Sequence, residues 1–314
     1  MPAVLLPDQI MRMNAPDFTC DLDLLDDEVY KLLELTAEMK QGPTRYAQAL
    51  TGKSAALLFE KPSLRTKVTF ELAMKQLGGD TVASEGIIGS REPLKDVARN
   101  LDRWVNGIVA RTFSQTTIDD LARWSSVPVI NALTDRYHPC QALADVFTMT
   151  EQLGEVRGRN LAYVGDGNNV AHSLMLTAAR LGMNVNVATP KGYSPDPGIT
   201  SRAMSAAAVA GGRLTLTHDA PAAVRGADVV YTDVWASMGQ ESEAETRRGH
   251  FQPYQVNEQL FALARPDAIF LHCLPARRGE EVTDAVIESP NSRVFDQAEN
   301  RLHTQKALLL MLLG

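Results

Sequence analysis

Cysteine is scarce in this 314-residue chain: Cys20, Cys140 and Cys273 are the only three, odd in number, far apart and without a CxxC pair. That argues against both a disulfide framework and a structural zinc site. An excess of basic residues is also missing, since 31 Lys and Arg face 38 Asp and Glu for a formal charge of −7. Nucleic acid and an anionic membrane are therefore not expected as main partners. A small anionic ligand remains compatible, because local arginines can oppose the net sign. Long apolar runs are lacking too. The start, MPAVLLPD, has no basic region leading into an apolar core, so no signal peptide is expected. The apolar stretch 307–313 is too short to span a bilayer. Repeats and low-complexity tracts are absent. A cytoplasmic protein of enzyme size is the expectation.

What is present has the balance of a globular protein, 45% hydrophobic and 22% charged, with length for two cores. Strand-like apolar runs alternate with helical patterns, which predicts α/β architecture: two doubly wound domains with parallel sheets, linked by interdomain helices. Strands are expected at 55–59, 81–83, 107–110 and 127–130 in the first half, and at 160–164, 184–188, 213–216, 228–232 and 268–271 in the second. Helices are expected at 117–124, 141–153, 170–181, 200–210 and 297–312. The helix at 141–153 is the natural bridge, giving domains at 1–147 and 148–295, with 296–314 returning to the first. Residues 237–250, SMGQESEAETRRGH, lack periodicity and read as a mobile loop.

The most informative stretch is FEKPSLRTKVTFE, residues 59–71. A buried strand breaks at Pro62, and Ser63 falls where a helix N-cap belongs. A helix start offers unpaired N–H groups and the positive end of the dipole. Adding Ser63, Arg65 and Thr66 there makes a socket suited to a phosphate, although a capped helix with a surface arginine would read the same way. Other polar residues also fall at predicted strand ends, where parallel α/β sheets bind ligands. Arg111 follows one strand, while His138 and Gln141 lie beyond another. Asp166 to Asn169, Asp233, and His272 with Cys273 follow three more. A histidine so placed can donate to a carbonyl oxygen as charge builds on it. GDGNNV has the first Gly-x-Gly of a dinucleotide turn but Val170 in place of the third glycine, which disfavours a nucleotide cofactor. Its asparagines suit either a polar ligand or a capped turn. Cys273 is as readily a buried small residue as a reactive one, and Arg301 reads as an exposed helix arginine unless the last helix crosses a cleft.

Together FEKPSLRTKVTFE, ARTF, HPCQALAD, GDGNNVAHS, TPKGY, TDVWASMG, HCLPA and ENR resemble the aspartate/ornithine carbamoyltransferases over about residues 5–312. DxxxSMG and HCLP are similar to the ornithine-using members. The resemblance implies a carbamoyl phosphate domain, an amino-acid domain, and a homotrimer or assembly of trimers, with no metal and no cofactor. By position, Ser63, the Leu64 backbone, Arg65 and Thr66 would hold phosphate. Arg111, His138 and Gln141 would polarise the carbamoyl group, with Arg301 closing that side. Leu133 would line the pocket. Asn169, Asp233, Ser237 and Met238 would take L-ornithine, and Cys273 with the Leu274 backbone would lie by the reacting groups. Arg65, Arg111, His138 and Cys273 are the expected catalytic residues. The chain departs from the usual pattern at Lys67, where arginine is common, at Leu64 and Pro93, and at Ile87, where many relatives carry a polar residue.

Overall fold

The computed structural model describes residues 11–236 and 243–314. They divide into two compact units, residues 1–147 with 299–314, and residues 148–298. Helices α5 (Pro139–Leu153) and α12 (Val294–Leu313) carry the chain from one to the other.

In the first unit, α1 (Asp26–Gln41) precedes β1 (Ser54–Phe59), α2 (Leu64–Gln76), β2 (Asp80–Glu85), α3 (Leu94–Leu101), β3 (Gly107–Arg111), α4 (Gln115–Trp124) and β4 (Val129–Leu133). The strands form one parallel sheet in the order β2-β1-β3-β4. Ala55 to Phe59 are all buried, as expected of a strand covered on both faces. Ala56, Leu58, Ile108 and Ala110 pack on Ala98 of α3 and on Ile118 and Leu121 of α4. Fully burying Leu57 contributes about 1.5–3 kcal/mol of transfer free energy. Strand β2 is an edge strand, and Val82 on it is 64% exposed.

The second unit holds β5 (Asn160–Val164), α6 (Asn169–Arg180), β6 (Asn184–Ala188), α7 (Pro197–Ala210), β7 (Arg213–Thr217), α8 (Ala220–Val224) and β8 (Val229–Thr232). After these come α9 (Ala244–Phe251), α10 (Glu258–Phe261), β9 (Ile269–His272) and α11 (Asp284–Ile287). Its parallel sheet runs β7-β6-β5-β8-β9. Ala162, Val164, Val230 and Phe270 meet Val224, Leu260 and Ile287 in one core. All nine expected strands are present, within two residues at nearly every boundary. One expectation is corrected: residues 244–250 of the supposed loop lie in helix α9, because Arg247 is buried and anchors it, while 237–242 lie outside the described residues. Among the described residues, no helix is long and apolar enough to cross a membrane.

Both sheets reverse winding direction once, between β1 and β3 and between β5 and β8. The carboxyl ends of those strands are where such sheets leave a crevice.

Candidate active site

In the first unit the register sets Phe59 beside Arg111, and Arg111 beside Leu133, so β1, β3 and β4 end in one row. The chain leaves β1 through Glu60 and enters α2 with Ser63 at the N-cap position. Ser63 has extended backbone there, yet its hydroxyl makes no capping hydrogen bond. The first helical bond runs from Lys67 N–H to the Ser63 carbonyl (3.2 Å), leaving the amides of Leu64, Arg65 and Thr66 in the helix's orphan first turn. Thr66 is fully buried, and its hydroxyl oxygen accepts from Arg301 Nη2 at 2.6 Å. Arg301 is 3% exposed, so the surface reading of this arginine does not hold.

Lys67, by contrast, spends its charge on Glu85 at 2.6 Å. The half-buried Arg65 guanidinium has no carboxylate partner among the described residues, which leaves it as the cation beside the helix start. Arg111 (8% exposed) and His138 (4% exposed) are buried. Burial, then the nearby Arg301 and Arg111 charges, push the His138 imidazole well below its ordinary range. At neutral pH it is an uncharged ring able to donate one hydrogen bond. Gln141 is buried on α5, with Nε2 donating to Asp145 at 2.8 Å and Oε1 without a hydrogen-bond partner among the described residues. Cys140 is buried and its thiol is pushed up to about 12, so it is an inert packing residue.

One residue the motif reading passed over is Glu60. Its Oε1 accepts from Ile88 N–H at 3.0 Å and its Oε2 from Phe113 N–H at 2.7 Å. One carboxylate thus pins the loop after β2 and the turn after Arg111. Ile87 on that loop is 56% exposed.

In the second unit β5, β8 and β9 end side by side, Val164 against Thr232 and Thr232 against His272. The turn after β5 is shaped by glycine. A Cβ on Gly167 would sit 2.3 Å from the Pro195 nitrogen, so the glycine admits the close approach of residues 193–195. Asn168 caps α6, and Asn169 is buried at its first position. Asp233, 4% exposed, accepts from Asn168 Nδ2 at 2.8 Å and from the Cys273 thiol at 3.0 Å. Cys273 is only partly buried, unlike a core cysteine.

Beyond it, Leu274 has φ of 57°, a left-handed backbone that costs a leucine about 1–2 kcal/mol. Its N–H donates to His272 Nδ1 at 2.9 Å, which leaves the ring hydrogen on Nε2 facing Glu281 Oε1 at 3.0 Å. Glu281 also accepts from Arg277 N–H at 2.6 Å. A fully buried carboxylate and imidazole therefore hold the strained residue. Asp233, His272 and Cys273 bring three donor atoms within 4.8 Å. Both ring nitrogens of His272 are already engaged, so the trio would have to break this clamp to close on a metal.

Alongside, Arg247 Nη1 donates to Asp166 Oδ2 at 3.0 Å and to the Trp235 carbonyl at 2.8 Å. Its guanidinium also lies 4.9 Å from the Tyr193 ring centre. Burial outweighs this partner and raises the Asp166 carboxyl to about 6. Ser237 and Met238 lie outside the described residues.

Residues 17–151 match the carbamoyl-P binding domain, and residues 157–312 the Asp/Orn binding domain, of aspartate/ornithine carbamoyltransferases. The chain belongs to the aspartate/ornithine carbamoyltransferase family. It is 51% identical over 311 residues to the ornithine carbamoyltransferase of Thermococcus kodakarensis, covering 97% of this chain and 98% of that one. The solved ornithine carbamoyltransferase of Pyrococcus furiosus superposes with a TM-score of 0.94 at 49% identity, covering 97% of this chain and 99% of that chain. An acetylornithine transcarbamylase complexed with acetylcitrulline is also similar, with a TM-score of 0.87 at 34% identity over 95% and 99% of the two chains. The fold is thus shared by carbamoyltransferases of different amines, and the Thermococcus and Pyrococcus ornithine enzymes are more similar in sequence to this chain than the acetylornithine enzyme is.

Proposed function

We propose that the chain transfers the carbamoyl group of carbamoyl phosphate to the δ-amino group of L-ornithine, giving L-citrulline and phosphate. Full-length similarity to ornithine enzymes supports this, and the observation that carries it furthest is the buried Asp233 carboxylate beside the Cys273 thiol. Ser63, the Leu64 amide, Arg65 and Thr66 form the phosphate set. Arg111, His138, Gln141 and Arg301 form the carbamoyl set, with Leu133 as apolar lining. Asp233 and Asn169 take the amino-acid end of ornithine together with Ser237 and Met238.

The δ-nitrogen lone pair attacks the carbamoyl carbon. A tetrahedral intermediate forms, the carbon–oxygen bond to phosphate breaks, and the amine gives up a proton. An uncharged His138 donor and neighbouring arginines favour negative charge on the carbamoyl oxygen and the leaving phosphate. Holding both substrates in place supplies the remainder. An alkyl ammonium ordinarily titrates near 10.4, so the reactive amine is the minor, neutral form at pH 7. Cys273 and the left-handed Leu274 stand where that amine is handled.

Incubation with carbamoyl phosphate should yield carbamoylated product from ornithine far faster than from putrescine, N-acetylornithine or aspartate. Preference for another amine would reassign the second substrate, and no turnover with any amine would end the catalytic reading. We further propose a cytoplasmic homotrimer or assembly of trimers. The exposed edge strand β2 and the outward apolar residues Leu64 (78% exposed) and Ile87 (56% exposed) support a self-association face. Sedimentation of the purified protein as a monomer would refute it.

A further inference from the structure

We infer that Asn168 is a positioning residue for ornithine: it aims the Asp233 carboxylate while leaving its charge for the substrate. The inference rests on the reading of Asp233 as an ornithine ligand. Asn168 Oδ1 accepts from the amides of Val170 (3.0 Å) and Ala171 (3.2 Å) at the start of α6. Those bonds settle which end of the side-chain amide is oxygen, so the Nδ2 hydrogens point the other way, to Asp233 Oδ2 at 2.8 Å. Tyr163 fixes the turn from beneath, its hydroxyl donating to the Asp166 carbonyl at 2.8 Å. Among the described residues, Asp233 Oδ1 accepts from the Cys273 thiol at 3.0 Å.

Both donors to Asp233 are therefore neutral, and among the described residues no Lys or Arg pairs with it. The neighbouring carboxylate is treated in the opposite way, since Asp166 is bound by Arg247 at 3.0 Å. The distinction matters chemically. An arginine at position 168 would orient Asp233 but neutralise it. An amide orients it equally well and preserves a full negative charge, with lone pairs to spare, for an ammonium group. Asn168 serves as helix cap and carboxylate holder at once. Asn169, the motif's expected ligand, is the next residue along and is buried at the first position of α6.

Two variants separate the roles. Serine and aspartate are both good N-caps, so Asn168→Ser and Asn168→Asp keep the start of α6 but lose the amide donor. Asn168→Ser should raise the KM for ornithine about 10-fold, the size of one lost hydrogen bond to a charged group, with the carbamoyl phosphate KM within about twofold of wild type. Asn168→Asp should raise it further, because it sets a second anion against Asp233. In an Asp233→Ala background, Asn168→Ser should add almost nothing. An equal effect in both backgrounds would overturn the inference, as would a parallel loss for both substrates accompanied by a lowered Tm. If Asp233→Ala alone leaves the ornithine KM unchanged, the ligand reading itself fails and takes this role with it.

Discussion

Arg65→Ala should lower kcat/KM for carbamoyl phosphate by about 10²–10³-fold, with little change in thermal stability. The size follows from removing a cation and up to two charge-assisted hydrogen bonds from an anion socket, about 3–4 kcal/mol at roughly 1.36 kcal/mol per tenfold. The specificity follows from the neighbours. Lys67 is already paired with Glu85, and Arg301 is engaged with Thr66, so neither is positioned to stand in. Among the described residues the Arg65 side chain has no carboxylate partner to strand, so the fold should tolerate its loss. Arg65→Lys should recover only part of the activity, because an ammonium lacks the planar fork. Steady-state kinetics with carbamoyl phosphate as the varied substrate checks this. Near-wild-type values for Arg65→Ala would remove the socket from the mechanism.

Arg247→Leu should destabilise the protein by about 3–5 kcal/mol at pH 8, as expected when one member of a buried ion pair is removed. Arg247 and Asp166 are both about 8% exposed at the side chain. The pH dependence identifies the cause. The Asp166 carboxyl titrates at about 6 instead of 3.8, so the folded state holds that proton more tightly than the unfolded chain. This contribution favours folding below 3.8 and is lost as pH rises through about 6. Without Arg247 the ionised carboxylate has no cationic partner at pH 8, whereas at pH 5 protonation relieves it. The penalty of Arg247→Leu should therefore shrink at pH 5, and Asp166→Asn added to it should restore much of the loss at pH 8. Urea unfolding of the two variants at both pH values decides the matter. An equal penalty at pH 5 and 8 with no rescue would show that the ring stacking, not the ion pair, carries the stability.

Much of this architecture was readable from residue order. Strands such as 160–164 and 184–188 appear with the expected bounds, because short apolar or alternating segments, NLAYV and NVNVA, lie between glycine-containing turns and helical patterns. Strand β2 was legible despite being nearly all exposed, since it is an edge strand beside the buried β1. The Ser63 helix start was legible as well, though not the fact that its hydroxyl caps nothing. Helix α9 was not, because AETRRGHF has no apolar stripe and is held by Arg247 reaching residues 12 and 81 positions away. For the same reason Arg301 looked like a solvent-facing residue, when Thr66 lies 235 positions earlier in the chain. Glu60 and Glu281 escaped notice as site residues because their partners are backbone amides or side chains brought together only by the fold, and Asn168 was legible as a polar-ligand or capping asparagine but not as the partner of Asp233. Motifs reveal groups that do chemistry more readily than groups that hold those groups still.

The Glu60 carboxylate has a mechanical meaning. Its oxygens grip two separate stretches of chain, one at Ile88 and the other at Phe113, two positions past Arg111. Neither stretch can swing away without stranding a bond that the other end of the same rigid, planar group still holds. The pair acts as a cross-tie, fixing the spacing between the Ile87 loop and the segment that follows Arg111.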